Sequence, residues 1–137
     1  MPRLKSFDVT EMKKRLTQAF RAMRKEGLLA RQNFECCSSC AGYSMATRAE
    51  EMISSGKKMK SEIKGCCFYH AQDNDSLVVG REFYLAYGPM GTQKYDMIGL
   101  SNEKVAEIVI KCLKNAGIET DWDGKGDTRI CIMGFLN

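Results

Sequence analysis

The chain has one histidine and two prolines in 137 residues. With hydrophobic residues at 44% and charged residues at 28%, that scarcity of proline speaks against a disordered or linker-like chain and for one globular domain with its own core. No apolar run approaches the length needed to span a bilayer. The opening Met1-Pro2-Arg3-Leu4-Lys5 leads into polar, helix-like sequence without the apolar segment of a secretory leader, so a cytoplasmic protein with no membrane partner is expected. Gly88-Pro89-Met90-Gly91 lacks the lysine and the spacing of a phosphate loop, which leaves nucleotide binding without support. Internal repeats and defensible carboxylate pairs for acid–base chemistry are missing too.

Cysteine is abundant by contrast, with seven residues that a reducing compartment keeps as thiols. Three fall in Asn33-Phe34-Glu35-Cys36-Cys37-Ser38-Ser39-Cys40, and Cys66-Cys67-Phe68-Tyr69-His70 adds two more together with the only histidine. Charge is uneven as well: residues 1–65 hold 14 Lys and Arg against 7 Asp and Glu, and residues 66–137 hold 7 against 10. A basic first half suits either a solvated face or a surface that meets nucleic acid or an acidic protein.

Periodicity predicts the elements. Asp8 caps a first helix, with Glu11 as its reciprocal partner and Phe7 stapled to Met12; Met12, Leu16, Ala19, Phe20 and Met23 form its apolar stripe and Gly27 ends it. A second helix opens at the cysteine cluster, capped by Ser38 or Ser39, and buries Ala41, Met45, Ala49, Met52 and Ile53. Lys57 to Gly65 reads as a basic connector. Strands are expected at 66–71 and 82–87, separated by the turn-rich Asp73-Asn74-Asp75-Ser76. Ser101 caps a third helix on Val105, Ile108, Val109, Cys112, Leu113 and Ala116, and strands at 118–122 and 128–135 follow, joined through Asp123-Gly124-Lys125-Gly126-Asp127. The expected fold is a single α+β domain over residues 1–137: two N-terminal helices, then two β-hairpins joined by a helix, forming one mostly antiparallel four-stranded sheet.

Three chemistries compete for the cysteines. Cys37-x-x-Cys40 and Cys67-x-x-His70 have the ligand types and spacing of tetrahedral zinc, and Cys36, Cys40 and His70 make another ligand choice. Strand alternation sends Cys67 and His70 to opposite faces, which weakens the first set. Two cysteines three apart at a helix start also suit disulfide exchange, since the helix dipole lowers a thiol pKa there, and Cys37 or Cys40 with His70 could form a nucleophile pair. The strand that precedes such a motif in a thioredoxin-like fold is not expected, because Arg31-Gln32-Asn33 is polar. In the third account Cys66 and Cys67 pack into the sheet and His70 hydrogen-bonds locally; Cys112 and Cys131 are read as core residues throughout.

Asn33-Phe34-x-Cys36-Cys37-x-x-Cys40, Phe68-Tyr69-His70-x-Gln72-Asp73, Tyr84-Leu85-Ala86-Tyr87-Gly88 and Trp122-Asp123-Gly124 with Arg129-Ile130 together resemble an uncharacterised family of bacterial domains. The resemblance covers about residues 30–133 and implies a shared fold and site rather than an activity. It points to Cys36, Cys37, Cys40, His70, Gln72 and Asp73, with Trp122 and Asp123 beside them, and leaves Cys66 and Cys67 out.

The reading that follows is a small interaction module with a protein partner, whose cluster of Cys36, Cys37, Cys40 and His70 is structural, with no cofactor or with Zn2+. Gln72, Asp73, Trp122 and Asp123 are its further binding candidates. A thiol-dependent enzyme or redox protein using Cys37, Cys40 and His70 is the first alternative. Nucleic-acid binding through Lys57, Lys58, Lys60, Lys64 and the basic side of helix one is the second.

Overall fold

The computed structural model describes residues 7–35, 38–89 and 100–136, without the side chains of residues 38–43 and 60. Within them run α1 (Val9–Lys25), β1 (Leu28–Arg31), α2 (Ser38–Ser54), β2 (Gly65–Phe68), α3 (Ala71–Val78), β3 (Phe83–Gly88), α4 (Asn102–Asn115), β4 (Ile118–Asp121) and β5 (Ile130–Phe135). The protein is a mixed α+β domain with one five-stranded sheet in the order β1-β2-β3-β5-β4. β1 and β2 are parallel and the remaining pairs antiparallel.

The α+β class holds, and the count of four strands is corrected to five. β1 separates the two N-terminal helices; its four residues run directly into polar sequence, too few for period-two alternation to mark a strand. A helix follows β1 and returns to a parallel β2, so a strand does precede the cysteine cluster, and that objection to a thioredoxin-like arrangement falls. The first expected hairpin is corrected as well. β2 and β3 are antiparallel neighbours, but α3 joins them where a turn at Asp73–Ser76 was expected. The basic connector carries a short 3-10 turn at Lys60–Glu62 and buries Ile63.

Alternation along the strands builds two cores. Leu28, Ala30, Cys67, Tyr69, Phe83, Leu85, Ile130 and Ile132 face one side of the sheet, where the predicted stripes of α1 and α4 cover them. Burying each of the Leu, Ile and Phe side chains contributes about 1.5–3 kcal/mol. On the opposite side Cys66 and Phe68 meet Met45 and Ala49 of α2, together with Phe34 and Ile63. Farther across that face, Tyr84 of β3 is 47% exposed.

The helix ends show why these elements start and stop. Asp8 accepts from the Glu11 amide at 2.9 Å, as expected, but the Glu11 carboxylate pairs with Arg15 at 2.8 Å rather than closing a capping box. Ser101 caps α4 by accepting from the Lys104 amide. Ser38 and Ser39, the expected caps, are instead the first two residues of α2 itself. Gly27, at φ +100°, lets the chain leave α1 and enter β1 directly.

Candidate functional site

The cysteine-rich and histidine-bearing motifs meet through their backbones. The Phe34 amide donates to the Tyr69 carbonyl at 2.8 Å, and the Ala71 amide donates to the Glu35 carbonyl at 3.0 Å. Two hydrogen bonds thus clamp residues 34–35 onto residues 69–71, immediately before Cys36 in the chain. Asn33 (φ 48°) and Glu35 (φ 64°) take left-handed backbone conformations, tolerable for asparagine and costing roughly 1–2 kcal/mol for glutamate. Strain of this kind persists where the surroundings over-determine it, as the paired hydrogen bonds do here.

His70 lies at the centre of this contact and is 4% exposed. It is the N-cap of α3; its Nε2 stands 3.4 Å from Oδ2 of Asp73, which also accepts from the His70 amide at 3.4 Å. Nδ1 is buried and has no partner among the described residues. A buried imidazole nitrogen without a partner costs about 1–3 kcal/mol. Neighbouring Gln72 is exposed, while Asp73 is largely covered.

Cys36 and Cys37 lie outside the described residues; Cys40 lies in the first turn of α2, its side chain outside the description. The other four cysteines are buried thiols. Cys67 packs on the α1–α4 side and Cys66 on the α2 side, so both fill core as the packing account expected. Burial drives the Cys67 pKa well above its ordinary value, with Cys66 and Cys112 adding to the effect. Burial likewise pushes Cys66 up to about 11 despite a backbone hydrogen bond with Gly88. Cys131 is pushed up to about 11 by burial and the adjoining Glu82 carboxylate, and burial also raises Cys112. None of these four is poised as a thiolate.

Trp122 and Asp123 sit elsewhere. The strand registers place Arg31, Phe68, Phe83 and Phe135 at one end of the sheet, and Gly65, Gly88, Asp121 and Ile130 at the other. His70, Gln72 and Asp73 follow from the first end, Trp122 and Asp123 from the second. Trp122 Nε1 donates to the Tyr87 hydroxyl at 2.8 Å, and Asp123 accepts from the Lys125 amide at 2.9 Å and the Thr128 hydroxyl at 2.5 Å. These bonds shape the β4–β5 turn and lower the Asp123 pKa, that of Thr128 foremost.

A cleft that the sequence did not disclose lies beside β1, an edge strand of the sheet. Its volume is about 170 Å³; Leu29, Met45 and Met52 give it an apolar wall and Arg24, Arg31 and Arg48 a cationic one, with Lys58 alongside. Arg31 and Arg48 hold their guanidinium carbons 5.4 and 5.7 Å from the centroid of the Phe34 ring. Arg24 donates to the Ala30 carbonyl at 2.9 Å. Burial, then the charges of Arg48 and Arg24, lower the pKa of Arg31. The salt bridges found among the described residues do not include these three arginines, although Glu35 and Glu51 line a neighbouring hollow with Arg48. Glu62, which also lines the cleft, accepts instead from the Met59 amide at 2.7 Å.

The three arginines come from α1, β1 and α2, and only the missed strand brings them together. The basic first half is not one free face, however. Arg15 is engaged by Glu11, the Gly117 carbonyl and the Phe135 ring. Lys57 and Lys64 are exposed; the Lys60 side chain lies outside the description.

The fold and its sites define a mixed α+β domain with a clamped histidine at one end of the sheet and an arginine-walled cleft along its edge. It belongs to the family described as a domain of unknown function (DUF6891), matched over residues 4–135, so the resemblance to an uncharacterised family is borne out. No curated protein and no solved structure matches the chain. Among the described residues no helix is long and apolar enough to cross a membrane.

Proposed function

We propose that this domain is an interaction module that receives a protein partner in the cleft beside β1. The carrying observation is the combination of an apolar wall, from Leu29, Met45 and Met52, with three arginines that form none of the salt bridges found among the described residues. Protein interfaces commonly seat an anchoring side chain in a small apolar hollow ringed by polar groups. The test is selection of random 12-residue peptides on the whole chain, with Met52→Trp filling the cleft. Peptides that enrich and lose binding to the Met52→Trp variant support the reading. No enrichment, or binders indifferent to that substitution, would overturn it.

A second reading concerns the Cys/His cluster and rests on Nδ1 of His70, which is buried without a hydrogen-bond partner among the described residues. Histidine ligands commonly direct one ring nitrogen to the metal and the other to a carboxylate, and Asp73 stands beside Nε2. We propose that Cys36, Cys37, Cys40 and His70 hold a structural zinc ion, with thiolates supplying most of the compensating charge. Elemental analysis of the purified chain is expected to give one zinc per molecule and loss of it in His70→Ala. Metal-free protein that titrates seven thiols would remove this reading.

A further inference from the structure

We propose that the cleft beside β1 selects an acidic peptide segment, taking one apolar side chain against Leu29, Met45 and Met52 while Arg31 and Arg48 grip carboxylates on either side of it. This rests on the interaction-module reading above and adds the chemistry of the partner.

Charge complementarity carries the inference. Two guanidiniums over one Phe34 ring, with Arg24 and Lys58 in the same cleft, concentrate positive charge where like charges repel. The one carboxylate lining the cleft is turned to a backbone amide. An incoming carboxylate therefore meets planar, multi-donor guanidiniums without displacing an internal ion pair, and such pairs are among the stronger charge-assisted hydrogen bonds. The cation–π contacts of Arg31 and Arg48 with Phe34 bias both guanidiniums toward the cleft before any ligand arrives, which reduces the ordering cost of binding.

The edge of β1 decides how the segment is held. An extended peptide could in principle add to this edge as a strand, using backbone hydrogen bonds. Arg24 already occupies the Ala30 carbonyl, however, and so blunts that edge. Side chains are left to carry recognition. The 170 Å³ volume suits a single apolar anchor rather than a folded surface.

Peptides enriched on the wild-type chain and lost on Met52→Trp supply the probes. They are expected to carry Asp or Glu within three positions of a Leu, Met, Ile or Phe. Replacing those acids by Asn and Gln should weaken binding at least tenfold in fluorescence anisotropy, and the Arg31→Glu/Arg48→Glu double variant, shown folded by circular dichroism, should lose it. Cleft-dependent peptides without acids, or acids replaceable at no cost, would overturn the acidic selectivity while leaving the docking reading standing. If no peptide depends on the cleft, both fall. Displacement of the peptide from the cleft by a 20-nucleotide single strand at comparable affinity would assign the arginines to nucleic acid and also overturn the proposal.

Discussion

The Nε2 of His70 stands 3.4 Å from Oδ2 of Asp73, and the same carboxylate oxygen accepts from the His70 backbone amide. One aspartate thus fixes the ring and begins the helix. Its side chain supports a helix of eight residues in which Leu77 is the one buried residue. Asp73→Ala is expected to lower the unfolding free energy by about 0.5–1 kcal/mol, the effect of removing the N3 acid of a capping box, in urea denaturation followed by circular dichroism. An unchanged midpoint would show that the carboxylate does not hold this helix start.

Gly65 lets α4 approach the sheet. A methyl group there would lie 2.7 Å from Cγ2 of Val105 and 2.9 Å from the Gly88 carbonyl oxygen. Gly65→Ala should destabilise the domain by about 1–3 kcal/mol through overpacking. Val105→Ala in the same chain removes the nearer obstacle and should recover part of that loss, a positive coupling in a double-mutant cycle. Additive effects would place the clash elsewhere.

The thiols separate into groups by burial. Cys66, Cys67, Cys112 and Cys131 are buried with raised pKa values, so native protein at pH 7 should leave them unmodified by iodoacetamide while unfolded protein reacts at all seven. Peptide mapping of the adducts reads the result. Rapid native labelling of Cys67 would contradict its place in the core. Any fast adducts on Cys36, Cys37 or Cys40 would favour the thiol-enzyme alternative for that cluster.

Long-period signals were the legible part of the fold. The stripes of α1 and α4 carry five buried residues each, with caps at Asp8 and Ser101, and repetition over several turns outweighs local noise. Short elements were not legible. β1 has only four residues, and the middle of α3 is Asp73, Asn74, Asp75 and Ser76, whose side chains favour turns in isolation. Tertiary anchoring through Leu77 and the His70–Asp73 contact overrides that preference. For the sites, His70 and the Asn33–Glu35 segment could be paired from their motifs, because both lie on short, distinctive stretches. The arginine cleft could not, since Arg24, Arg31 and Arg48 become neighbours only through the parallel return of the chain from β1 through α2 to β2.

Stability should fall in alkaline solution because of the same buried thiols. Cys66 is held up to about 11 in the folded protein, against an ordinary thiol value of 9.0 in the unfolded chain. Below pH 8 both states are protonated and the group has no effect on the balance. Between about pH 9 and 11 the unfolded chain has lost the proton and the folded one keeps it, so folding is disfavoured by roughly 1.4 kcal/mol per pH unit for this thiol. Cys131, also near 11, acts in the same direction. Urea midpoints should therefore be flat from pH 7 to 8 and decline steadily from 9 to 11. Cys66→Ala should make that decline shallower even though the lost sulfur lowers stability at neutral pH. A slope unchanged by Cys66→Ala would mean that this thiol ionises as readily inside the sheet as in water.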